Sequence, residues 1–133
     1  TSTEARLESM RRVMRNFPKR PVFGYGVTGY EFLDAQFPRV LIETGIVGLA
    51  SFLFLLWVTG KTLFLTWKKY RDDPLYNILS AGTLCAFFGL LIHSIGTNSF
   101  VIVRLMEPFW CLAGLNFAIP FIEKEKDLIM PLK

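Results

Sequence analysis

One histidine and two cysteines in 133 residues leave little for metal chemistry. There is no Cys-x-x-Cys, no His-Glu-x-x-His and no P-loop, which removes the usual zinc, dithiol and Walker-type readings, and no metal or cofactor is expected. Cys85 and Cys111 both fall inside apolar runs, where they read as small core residues and not as a disulfide or a metal pair. Charge is missing where a soluble helix most needs it: residues 75–92 carry none, and His93 comes directly after them. A soluble bundle requires a polar face on each helix, and this segment has almost none. The net charge of +4 does not point to nucleic acid, because the basic residues sit beside apolar runs and are not interleaved with exposed aromatics.

What the chain has in quantity is hydrocarbon. Mean hydropathy is +0.38, 52% of residues are hydrophobic, and 13 Phe and 3 Trp push it further toward a membrane class. Three runs stand out: 40–59 with Glu43 as its one charge, 75–92, and 105–122 with Glu107 and Pro108 near its start. Each approaches the roughly 20 residues that cross about 30 Å of hydrocarbon. The expectation is an all-α integral membrane helical bundle. Its three transmembrane helices lie at about 40–60, 75–95 and 101–122, after a loop segment with a short amphipathic helix and before a tail at 123–133. The chain starts at Thr1 without a signal-peptide pattern, so it reads as the C-terminal piece of a larger membrane protein. Membrane lipids and the missing N-terminal transmembrane helices are then its expected partners.

Residues 1–39 divide in two. Thr1 and Glu4 fit a capping box, and Leu7, Met10, Met14 and Phe17 recur at helical spacing, which predicts a helix over 3–16. Arg6, Arg11, Arg12 and Arg15 occupy its other faces, a pattern that suits a helix lying on a membrane surface with arginines at lipid phosphates. Glycines and prolines then exclude a long helix over 18–30. There Gly24, Gly26 and Gly29 would let backbone amides approach a phosphate, and Tyr25 and Tyr30 suit the interface.

Lys61, Lys68, Lys69 and Arg71 lie between the first two spans, whereas the 96–99 link between the second and third is uncharged. The positive-inside rule puts the basic stretch and the 123–133 tail in the cytoplasm, with residues 1–39 outside. A simple tally is tied, seven basic residues against seven, unless residues 1–39 close a long translocated loop.

Small and polar residues recur along single lines: Gly45, Gly48 and Ser51; Gly82, Ala86, Gly89 and His93; Arg104, Glu107, Cys111, Gly114 and Ala118. Such lines are expected to face the bundle. Glu43, His93, Arg104 and Glu107 would then meet at one membrane depth and form a hydrated polar pocket. The plainer alternative is that Arg104 and Glu107 neutralise each other and His93 bonds the turn.

In this order, four stretches carry a resemblance to a known family. ARLESM (residues 5–10) looks like an arginine-led helix of a large periplasmic loop. PVFGYGVTGY (21–30) is similar to a Pro-hydrophobic-hydrophobic-Gly-x-Gly turn. DAQFPRVLIETGIVGLASF (34–52) resembles a Glu-Thr-Gly-x-x-Gly entry to a span, and the basic stretch and helical pair after it fit the remaining topology. Together they resemble the C-terminal part of the O-antigen ligase and polymerase superfamily, bacterial inner-membrane glycosyltransferases that use undecaprenyl-pyrophosphate-linked glycans. The ligases of that group carry a His followed by Asn, Ser or Gln nine residues before Gly-x-x-Gly. Here Asp34 and Ala35 stand at that place, which tilts the resemblance toward a polymerase-like member. The resemblance implies a pyrophosphate held by Arg6, to which Arg104 is added from its location. It implies a base for the acceptor hydroxyl, Asp34 first and His93 second. Glu43, Gly45, Gly48 and Glu107 take orienting roles, and residues 1–39 are periplasmic. A transporter or flippase segment, or a non-catalytic membrane scaffold, is the alternative.

Overall fold

The computed structural model of the protein describes residues 2–27, 29–30, 33 and 35–129, apart from the side chains of Ser2, Thr3, Ala5, Arg6, Ser9 and Asp127. The described residues form four α-helices, α1 (Ser2–Asn16), α2 (Gln36–Lys69), α3 (Pro74–His93) and α4 (Val103–Ile129), with short 3-10 turns at Phe17–Lys19 and Ser99–Val101. No strand occurs among them, so the protein is all-α. The helices α2, α3 and α4 are long and apolar enough to cross a membrane, the architecture of a multi-pass membrane protein.

Local chemistry sets the boundaries. α1 carries Glu4 in its first turn and Arg15 in its last, matching the helix dipole at both ends. Pro18 then tightens the chain into a 3-10 turn closed by Arg20 N–H on the Phe17 carbonyl (3.2 Å). α2 continues past residue 60 to Lys69, because no glycine or proline intervenes before Pro74. The basic residues Lys61, Lys68 and Lys69 are therefore helical, and Lys61 lies over the Trp57 ring (4.9 Å). α3 starts on Asp-Pro: Asp73 Oδ1 accepts from the amides of Leu75 (2.9 Å) and Tyr76 (3.1 Å), and Pro74 needs no partner in the first turn. α4 runs on from 122 to Ile129 through Glu123 and Lys126, a spacing that supports a helix.

The chain divides into two compact units, the first made of Thr1–Leu56 with Leu90–Ile102, the second of Trp57–Gly89 with Val103–Lys133. In the first, Val13, Leu33 and Ile42 form a buried cluster against which Phe17, Tyr25 and Tyr30 pack. The 96–99 link is tied to it by Asn98 Nδ2, which donates to the Leu33 carbonyl (2.6 Å). In the second, Phe87 of α3 stacks on Phe109 of α4 (6.0 Å between centroids) and covers Gly60, where a Cβ would collide with its ring. Leu63, Met106, Ala113 and Ile119 complete the apolar core. Between them lies a polar seam. Asn116 of α4 donates to Thr83 Oγ1 of α3 (2.9 Å), and Ser80, Thr83 and Asn116 are fully buried.

The faces differ from those expected. Gly82, Ala86, Gly89 and His93 of α3 are exposed, as are Arg104, Glu107, Cys111 and Gly114 of α4, and Ala118 is half-buried. A Cβ on Gly82, Gly89 or Gly114 would meet nothing within 4 Å. Ser80, Thr83 and Phe87 of α3, with Met106, Phe109, Ala113, Asn116 and Ile119 of α4, face inward instead. Small residues permit close helix approach, but aromatic stacking and an amide–hydroxyl bond occupy the inner faces.

Asn116→Ala is expected to lower stability against denaturing detergent by about 1 kcal/mol, the scale of an interhelical polar contact in a membrane. Ser51→Ala, which removes only a hydroxyl bonded to its own helix carbonyl at Val47, is expected to change it by less than half that.

Candidate functional site

The most constrained place in the first unit is a break inside α2. Gly45 has φ +70° and ψ −165°, outside any helical region, so α2 is two helical segments meeting at this residue. Such a break leaves carbonyls without partners before it and amides without partners after it. In an apolar setting each orphan costs several kcal/mol.

The glycine loop fills that gap. Tyr25 N–H donates to the Ile42 carbonyl (2.9 Å), Gly26 N–H to the Glu43 carbonyl (2.8 Å), and Ile46 N–H to the Pro21 carbonyl (2.9 Å). Three backbone bonds thus make residues 21–26 a plug in the break. The approach is close enough to require glycine on both sides. Gly24 has φ +66°, and a Cβ there would strike the Ile42 and Glu43 carbonyls; a Cβ on Gly45 would strike the Val22 carbonyl. Tyr25 then anchors the plug to α1: its hydroxyl donates to the Asn16 carbonyl (3.1 Å), and Asn16 Nδ2 donates to the Tyr30 hydroxyl (2.9 Å).

This geometry changes the expected role of the loop. The amides of Gly24, Tyr25, Gly26 and Gly29 already donate to the carbonyls of Arg20, Ile42, Glu43 and Gly26, so they do not form a phosphate cradle. Among the described residues, the Glu43 side chain makes no hydrogen bond to the loop. Its carboxylate accepts from Arg39 Nε (3.0 Å) one turn earlier, with both side chains largely buried, and the main-chain carbonyl of Glu43 holds the loop. Gly48 serves a neighbouring need. A Cβ there would collide with the Thr44 hydroxyl, which donates to the Val40 carbonyl (2.7 Å).

His93 ends α3, with Nδ1 2.7 Å from Ser99 Oγ and 3.0 Å from Thr97 Oγ1, while the Thr97 hydroxyl donates to the His93 carbonyl. With the proton on Nδ1, the ring donates to Ser99, Ser99 to Thr97 (3.1 Å) and Thr97 to the carbonyl, leaving Nε2 as a bare acceptor. Arg104 and Glu107, both exposed in the first turns of α4, form no ion pair with each other among the described residues. Arg6 lies within α1, but its side chain is outside the described residues, as is all of Asp34. An open hollow of about 610 Å³ runs along α1, lined by Glu4, Leu7, Glu8, Arg11, Arg12 and Arg15. Comparison with protein-family models, curated proteins and solved structures finds no match to this chain.

Asn98, Thr97 and Ser99 carry no weight in the sequence, because a four-residue link without charge gives no periodic signal. The Gly-x-Gly and Glu-Thr-Gly elements do signal close backbone approach.

Gly45→Ala is expected to cost about 2 kcal/mol or more, from its positive φ and its clash with the Val22 carbonyl, read as a lower midpoint of thermal unfolding in detergent. Gly82→Ala, at an open helical position, is expected to leave the midpoint unchanged or raise it.

Proposed function

We propose that this chain is part of a bacterial inner-membrane glycosyltransferase that polymerises, or ligates, glycan repeat units carried on undecaprenyl pyrophosphate. One observation supports this reading above the rest. Two of the stretches that carry the resemblance, 21–30 and 34–52, are bonded to one another through the Gly45 break. Separate chance matches would have no reason to be joined.

The chemistry is dictated by the leaving group. Transfer of a sugar from a lipid pyrophosphate releases a multiply charged anion, which guanidinium groups stabilise through paired N–H donors. Arg6 is assigned this role on the arginine-rich helix α1, whose Val13 packs in one cluster with Ile42 beside the break. Arg104 is assigned as a second phosphate ligand. The acceptor hydroxyl needs a base, and Asp34 is the first choice from its place in the motif. His93 is the second; in the tautomer with the proton on Nδ1, which bonds Ser99, Nε2 is the acceptor such a base needs. Glu43, bound to Arg39, steadies the helix turn that presents the two carbonyls to the loop.

The helix break favours one other reading, since interrupted helices also line transport pathways. Against it, the Ile42 and Glu43 carbonyls and the Ile46 amide at the break are taken up by the loop and not left to coordinate a passenger.

In cells, Arg6→Lys is expected to cut polymer formation by the order of a hundredfold while single repeat units persist, because lysine keeps the charge and loses the fork. Unchanged chain length in that variant favours a scaffold. Loss of the single repeat units themselves from the outer face favours transport.

A further inference from the structure

α1 has two apolar faces, and among the described residues one of them is packed inside the protein. Val13 is buried and Phe17 packs against the same cluster, whereas Leu7, Met10 and Met14 form a second stripe that is exposed, Met14 by 72%. Exposed Arg11 and Arg15 border that stripe. The plug loop adds to it: Val22 and Phe23 are also exposed, Phe23 by 78%.

The backbone bonds fix the depth of these residues. The charged pair Arg39–Glu43 comes just before the α2 break, and the exposed apolar residues Ile46, Val47, Leu53, Phe54 and Leu55 follow directly after it. The break therefore marks an edge of the hydrocarbon. The loop is bonded to Ile42, Glu43 and Ile46, so Val22 and Phe23 lie at that edge. Val13 shares a cluster with Ile42, which brings the C-terminal half of α1 to the same level. An apolar stripe at the hydrocarbon edge, bordered by arginines, matches the lipid interface and its phosphates.

We propose that Leu7, Met10, Met14, Val22 and Phe23 form a membrane-inserted face, with α1 lying in the bilayer interface at the level of the α2 break and Arg11 and Arg15 meeting lipid phosphates. The partner is the bilayer itself. This holds whichever reaction the protein performs, since it uses none of the residues assigned to chemistry.

The test places nitroxide labels on the full chain in nanodiscs of phosphatidylcholine and phosphatidylglycerol, with Cys85 and Cys111 replaced by alanine. Labels go at Met14→Cys, Phe23→Cys and, as the water-facing control, Glu8→Cys. Leu7→Cys serves as a second probe should the Met14 or Phe23 variant fail to fold. At Met14, Phe23 and Leu7, collision with oxygen is expected to exceed collision with a water-soluble nickel chelate several-fold, and at Glu8 the order reverses. Higher nickel-chelate access at Met14 and Phe23 overturns the proposal, because the face is then in water. Exclusion of both reagents with an immobilised label also overturns it, because another protein helix then covers the face.

Discussion

The structure of the first unit turns on the requirement that main-chain polar groups removed from water find partners. A helix that breaks at the edge of a membrane span has several groups in need, and here a loop supplies them through three main-chain bonds. Most other features are consequences of this. Gly45 must take a positive φ to make the break, Gly24 must lack a side chain for the loop to reach it, and α1 is held at that level because Tyr25 and Asn16 connect loop to helix. The glutamate that opens an otherwise apolar run is tolerated because Arg39, four residues earlier, shields it.

The second unit solves the same problem with side chains. Apart from the bonds that Pro108 and Pro120 remove from α4, its helices bond along their own main chain, and specificity comes from Asn116 reaching Thr83 beside the Phe87–Phe109 stack. The hydroxyls of Thr62 and Thr83 there return to carbonyls of their own helix, so each has a partner without water. The outward faces of α3 and α4, with Gly82, Ala86, Gly89, Cys111 and Gly114, have the composition of surfaces meant to meet other helices, unlike the bulky Leu65 and Phe64 of α2.

Hydropathy makes the three long helices legible, because a run without charge has few other ways to exist in water or lipid. The Gly-x-Gly and Glu-Thr-Gly stretches are legible as places of close approach, but not as partners, since nothing local in either says that one seals the other. The amides of Gly24 and Gly26 read as open for an anion for the same reason; only the fold reveals that carbonyls of Arg20 and Glu43 occupy them. The inward faces of α3 and α4 are not legible, because small size marks a face that can pack without saying against what. That His93 bonds the turn is legible, but its partners Thr97 and Ser99 are not, because two short hydroxyl side chains in an uncharged link carry no period. For the candidate site, the structure adds the Glu43–Arg39 pair and the contacts of His93 with Thr97 and Ser99, while the roles proposed for Arg6, Asp34 and Arg104 rest on the resemblance and on charge.

Residues 21–26 close the α2 break through their main chain. Hydrogen exchange of the amides of Tyr25, Gly26 and Ile46, measured in lipid nanodiscs, tests it most directly. All three are expected to be protected like the interior of a helix, while the amide of Val27, one residue past the plug, exchanges freely. Exchange of Tyr25 and Gly26 at the rate of an open loop, with Ile46 equally fast, would contradict the account.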